Sequence, residues 1–445
     1  MASRNRAERI PELDGFRVLM VGIVAWFHFW QQSWLTPYIG SYSLDYLVRA
    51  GYMAVDGTIL LSAFLLFLPY AKSRTEGLEL PSARQFYRRR IMRIVPSYLF
   101  VTFLMLFAVV IPYGMFSSRE GLAYDVFMHI LMIFNWDRKT YLGTQLGGSS
   151  WTIAVEMQLY LLVPLLGRLV QKRPLAVGLG MAAISAYFRG WCVWSMEEYS
   201  MVVNQPLAFL DVYALGMACS FGYVYLKAWS ERMEKKQKIL FGVTATILCL
   251  LSLWLFLRVL RVQARSSGYP AIQSGQMIRR PVLALVLGLT LLSLPFSLKP
   301  LRLLFGNPVM RFLSGISMNF YLLHQNIAVH LRRLGIPYSA YETPNQAGDK
   351  AWQWQYTLLT VGLSLLCATL VTYLIEKPCA YGLRKMFVAW DRRREARRAG
   401  RIDKHIRFRK EAVRVRRLLF LYQPERADIP KKTTRRAERQ KTGPV

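Results

Sequence analysis

The sequence predicts an all-α fold, a polytopic membrane helix bundle of about ten transmembrane helices followed by a basic cytoplasmic tail. Three observations carry that prediction. The chain is 53% hydrophobic yet holds 58 Lys and Arg, so apolar and basic residues must segregate along it. Apolar runs long enough to cross a bilayer recur from the first to beyond residue 370. The basic clusters fall at alternate ends of those runs, which is the pattern of cytoplasmic anchoring. In a soluble protein a net charge of +32 would point to nucleic acid. Here the excess flanks apolar spans, and no nucleic-acid partner is expected.

Residues 1–15 read as a cytoplasmic N-terminus, 16–378 as the bundle and 379–445 as the tail. The first apolar run continues past the length of a signal-peptide core and lacks a small-residue cleavage site, so it should stay as a membrane helix. Spans are expected at about 16–35, 52–70, 94–112, 151–170, 174–194, 206–226, 239–259, 281–298, 312–331 and 355–376. Val126–Trp136 is too short to cross and reads as an interfacial or re-entrant helix. Basic residues before the first span (Arg4, Arg6, Arg9), after the second (Lys72 to Arg93) and after the sixth (Lys227 to Lys238) share one side, as do both termini. Arg258, Arg261, Arg265, Arg279 and Arg280 break the pattern by falling in an outer loop. Either the span count is locally wrong there, or that loop binds something anionic on the outer face. The tail alternates arginines with a few acids and reads as a basic helix on anionic lipid headgroups, giving way to disorder from about Pro424. Cys192, Cys219, Cys249, Cys367 and Cys379 show neither CxxC nor Cys/His spacing, so no disulfide framework and no metal is expected.

The first span carries Arg17 near its start and His28 far inside. At about 100° per residue the two lie on one helical face, roughly 16 Å apart along the axis. Asp14, three residues before Arg17, is placed to pair with it. The third span opens with Arg88, Arg89, Arg90 and Arg93; the last two share a face. Guanidinium forks at a helix start suit a phosphate through both charge and free backbone donors. Within the spans, ionisable groups are costly and functional by default. Two readings stay open for Glu156: orienting or charging an imidazole or arginine, or pairing with Arg189. Asp56 either faces His28 and fixes its tautomer or simply starts a helix.

These residues resemble a family, the integral-membrane acyltransferases of acyltransferase family 3. PELDGFR followed by His28 matches its opening motif, and Arg90, Arg93, Pro96 and Tyr98 match its Arg-x-x-Arg turn. Trp151, Glu156 and Tyr160, then Ile316, Ser317, Tyr321 and His324, then Glu376, Lys377 and Pro378 follow in the family's order. The second span departs from it: Gly57 and Thr58 stand where the family carries bulkier residues, which is expected to reshape the acceptor cavity.

The resemblance implies transfer of an acyl group, commonly acetyl, from cytoplasmic acyl-coenzyme A to a hydroxyl at or beyond the outer face. The acceptor class would be a cell-surface glycan, a lipid-linked sugar or a small hydroxylated product. Coenzyme A phosphates suit Arg90 and Arg93, and the thin pantetheine arm is comparable in length with the Arg17 to His28 separation. His28 is the candidate general base, with Glu156 and Asp56 as further catalytic candidates. An acyl-histidine variant stays open. Arg17, Arg90 and Arg93 are the donor-binding candidates. Trp151, Tyr160, Tyr321, His324 and Glu376 are supporting residues, His324 being open between structural hydrogen bonding and catalysis. The competing class is a transporter or flippase using the same buried charges, which an inverted repeat with broken helices would favour. No such repeat is visible.

Overall fold

The computed structural model describes residues 9–421. Arg4, Arg6 and the segment from Pro424, expected to be disordered, lie outside the described residues. Contacts divide the chain into two units after Tyr381.

The first unit is a bundle of long helices: α1 (Glu12–Ser33), α2 (Val55–Glu76), α3 (Ala83–Met105), α4 (Arg119–Ile130), α5 (Trp151–Lys172), α6 (Pro174–Ser195), α7 (Leu210–Glu231), α8 (Lys235–Gln263), α9 (Tyr269–Ser293), α10 (Lys299–Gly306), α11 (Pro308–Arg333) and α12 (Lys350–Val371). A two-stranded antiparallel hairpin, β1 (Tyr38–Ile39) and β2 (Tyr42–Ser43), links α1 towards α2. A last helix, α13 (Lys377–Leu421), follows in the chain; the second unit begins within it at Gly382 and is rich in arginine. Among the described residues, nine helical segments are long and apolar enough to cross a membrane. The expected span missing from these nine is the ninth, at α11, whose 26 residues suffice in length but which carries Asn319, His324, Asn326 and His330. Its polarity is concentrated inward, because Asn319 and His324 are fully buried.

Local sequence accounts for where these helices start and stop. Asn307 accepts the Met310 amide at 2.9 Å with Pro308 in the first turn of α11, and Asp349 caps α12 through the Trp352 amide at 3.0 Å. Glu234 and Gln237 form a reciprocal capping box on α8. Gly77, at φ 68°, ends α2 in the left-handed region that glycine tolerates. Val126–Trp136 is not one interfacial helix. It comprises the end of α4, a turn and a short 3-10 segment, Phe134–Trp136, and His129 within it is buried.

Helices α1 and α11 run side by side in the same direction, as do α2 and α7. A Cβ at Gly216 would sit 2.5 Å from the Leu60 carbonyl, so glycine lets α7 reach the α2 backbone. Charges between the helices are paired. Arg280 donates from Nε to Asp56 at 3.1 Å and from Nη1 to the Val203 carbonyl at 2.9 Å, with its guanidinium 3.8 Å from the Phe209 ring centre. Arg189 clasps both oxygens of Asp211 at 2.7 and 2.6 Å and donates to the Ala208 carbonyl, which Arg280 also reaches.

This pairing corrects the reading of an arginine-rich outer loop. Helix α9 begins at Tyr269, earlier than expected, so Arg279 and Arg280 lie inside a helix. Arg261 sits over Tyr46, 4.7 Å from its ring centre, and Arg279 donates to Gln263 at 2.7 Å. Arg261, Arg279 and Arg280 thus answer partners within the bundle. Removing one member of a buried pair strands the other, at a cost of about 3–5 kcal/mol, whereas apolar replacement of both is far milder. Arg280→Met is therefore expected to lower the thermal unfolding midpoint in detergent markedly, and Asp56→Leu combined with Arg280→Met to recover much of the loss.

Candidate functional site

Two cavities meet inside the bundle. The first, of about 150 Å3, lies between α1, α2, α3, α5 and α11 and is lined by Arg17, Arg90, Arg93, Glu156, Tyr160 and Tyr321 among others. Three guanidinium groups face one carboxylate there, and Glu156 interacts electrostatically with all three. Arg93 is exposed at the rim while Arg17 and Arg90 are half-buried. Arg90 stacks between Phe86 and Tyr160, 5.7 Å from each ring centre, and its Nε has no protein partner. The Tyr160 hydroxyl donates to Glu156 at 2.7 Å and lies 2.8 Å from Ser62 Oγ. With its proton committed to Glu156, Tyr160 accepts from Ser62, and the three groups form one directed chain.

The second cavity, of about 460 Å3, lies towards the opposite end of α1 and is lined by His28, Trp30, Gln31, Tyr52, Trp151 and Tyr321, with Asn204, Gln263, Gln273 and Gln276 completing a wall of neutral amides. His28 is half-buried. Its Nδ1 lies 2.9 Å from Gln31 Oε1, an oxygen that only accepts, so Nδ1 carries the proton and Nε2 keeps its lone pair. Trp151 stacks on Phe209, the ring that also carries Arg280. Tyr321 lines both cavities and so forms part of the wall between them. Its carbonyl accepts from Ser149 at 2.7 Å and from His324 at 2.8 Å, tying α11 to the turn before α5.

Several expectations change at this point. Asp56 does not face His28; it pairs with Arg280, and the His28 tautomer is set by Gln31. Glu156 is not the partner of Arg189, which Asp211 takes. Asp14 pairs with Arg9 at 2.5 Å and leaves Arg17 to the cavity. Thr58 lines the arginine cavity and not the His28 cavity, while Gly57 packs beneath Met20. Glu376 accepts from Asn319 at 2.7 Å and interacts electrostatically with Arg93, placing it behind the rim. His324 stands beside His28, with ring centres 5.2 Å apart.

Sequence reasoning missed the amide wall. Gln273, Gln276 and Arg280 are spaced i, i+3 and i+7, a polar stripe on one helical face, and a span drawn from Tyr269 would have shown it. The buried Asp125 and His129 pair, 3.1 Å apart, was also passed over, because its short segment has no periodicity of its own.

Comparison with known proteins agrees with this architecture. Residues 10–376 match the family model described as an acyltransferase domain. Similar curated proteins include "Acyltransferase MdmB" of Streptomyces mycarofaciens, 27% identical over 190 residues that make up 41% of this chain and 47% of that protein. Another is "Putative acetyltransferase ORF330" of Acidianus two-tailed virus, 26% identical over 238 residues, 52% of this chain and 62% of the relative. The matched stretches thus span about half to three fifths of these relatives. No solved structure matches the chain. With the motif residues gathered around two adjoining cavities and the family model covering the bundle from end to end, the chain belongs to acyltransferase family 3.

Proposed function

We propose that the protein is a membrane O-acyltransferase that moves an acyl group, acetyl in the first instance, from acyl-coenzyme A to a hydroxyl of a glycan, a lipid-linked sugar or a small hydroxylated product. The observation that carries this reading is the shared wall: Tyr321 lines both the arginine cavity and the His28 cavity. A cationic site and a basic imidazole on either side of one side chain suit a donor and an acceptor that arrive from opposite ends. The basic residues at the end where α1 begins favour a cytoplasmic placement for that end and for both termini. The arginine-rich helix from Gly382 on suits anionic lipid headgroups.

The donor cavity is too small for a nucleotide and admits a thin arm. The coenzyme A phosphates then stay at the rim with Arg93, with Arg90 behind it and Arg17 deeper along the arm. Glu156, held by Tyr160, offsets part of the positive charge and fixes where the guanidinium groups point. At the wall, the His28 Nε2 lone pair takes the proton of the acceptor hydroxyl as that oxygen attacks the thioester carbon. The carbon–oxygen bond forms, the carbon–sulfur bond breaks, and the thiolate leaves to be protonated. Buried amides such as Gln273 and Gln276 suit hydrogen bonding to acceptor hydroxyls.

Two measurements test this on the purified protein in detergent. Arg90→Ala combined with Arg93→Ala is expected to raise the donor KM by about 10²-fold, two charge-assisted contacts being lost, with little change in unfolding temperature. Unchanged coenzyme A binding would remove the phosphate site. His28→Ala is expected to lower kcat by about 10²–10⁴-fold while donor binding persists. Wild-type protein that neither binds nor turns over acyl-coenzyme A would reject the reading altogether.

A further inference from the structure

His324 is fully buried, one helix away from His28, and touches neither cavity. Its Nδ1 lies 2.8 Å from the Tyr321 carbonyl and 3.2 Å from the Phe320 carbonyl. Carbonyl oxygens only accept, so Nδ1 carries the proton and Nε2 holds a lone pair. That Nε2 is buried and has no protein partner. The ring is held on its faces and edges by aromatics: Phe320 stacks nearly parallel at 5.8 Å, and Phe29 and Tyr321 close it at 6.0 and 5.4 Å. His28 completes the ring of neighbours at 5.2 Å. A buried polar atom without a partner is a cost the fold retains for a reason. Both imidazoles at rest carry their proton on Nδ1, committed to an oxygen, and both present an unprotonated Nε2.

We propose that His324 is the proton partner of His28: it takes up, directly or through one water, the proton that His28 removes from the acceptor hydroxyl, and returns it through His28 to the leaving thiolate. The inference rests on the reading of His28 as the base. Two lone pairs have nothing to exchange at rest. Once the acceptor proton reaches His28 Nε2, that nitrogen becomes a donor and His324 Nε2 an acceptor, so the interaction exists only after proton transfer has begun. The resulting positive charge on His324 is stabilised by the carbonyls of Tyr321 and Phe320 through Nδ1. The balance closes: one proton leaves the hydroxyl, resides on the histidine pair, and ends on the thiol as the carbon–oxygen bond forms and the carbon–sulfur bond breaks. His324 acts through His28 and is in that sense a positioning residue that also stores charge.

His324→Gln separates storage from orientation, since the amide can donate to the Tyr321 carbonyl and accept from His28 but cannot carry a proton. We expect His324→Gln to lose about 10²-fold in kcat with the KM values for donor and acceptor unchanged, and to cause no further loss in a His28→Ala background. A glutamine variant with wild-type kcat, or one whose loss adds fully to that of His28→Ala, overturns the proposal. The solvent isotope effect on kcat is expected to differ between the wild type and His324→Gln, and an unchanged effect overturns the pairing. If His28→Ala itself keeps full kcat, the base assignment fails first, which is a different outcome from failure at His324 alone.

Discussion

The structure depends on one constraint, that a charge held between membrane helices must find its partner within the protein. Asp56 answers Arg280, Asp211 answers Arg189, and Glu12 answers Arg302 at 2.7 Å where α1 meets α10. These pairs cost desolvation, and what they secure is register: the Asp56–Arg280 and Glu12–Arg302 pairs join elements far apart in sequence, and each pair fixes how one helix slides on another. The arginine cavity departs from this balance. Three arginines face one carboxylate there, so the site is left cationic by construction.

The pairs also bear on the chemistry at a distance. Arg280 lies over Phe209, Phe209 stacks on Trp151, and Trp151 lines the His28 cavity, a continuous contact from a buried ion pair to the wall of the site. Asp56, expected at the catalytic centre, thereby belongs to the support of the cavity instead. The same ion pair orders the segment containing Val203 and Ala208, because Arg280 also donates to their carbonyls.

Much of this was legible in the chain. The apolar runs located the helices, the Arg17 and His28 spacing placed both on one face of α1, and one of the two readings of Glu156, a partner for arginine, agrees with its place beside Arg17, Arg90 and Arg93. What the sequence concealed were relations between helices. Nothing local says that Asp56 should meet Arg280, 224 residues away, and not His28. Hydropathy windows favoured residues 281–298 because Gln273, Gln276 and Arg280 lower the mean, so the part of α9 that builds the cavity looked like loop. The role of His324 was open for the same reason: its neighbour is on another helix, and parallel packing of α1 and α11 alone sets the two rings together.

The Tyr321 partition has a consequence beyond positioning. On the reading proposed above, a donor and an acceptor arriving from opposite ends need no open passage between them, because Tyr321 lines both cavities and forms part of what separates them. The barrier to leakage of protons and ions is then a residue of the site itself.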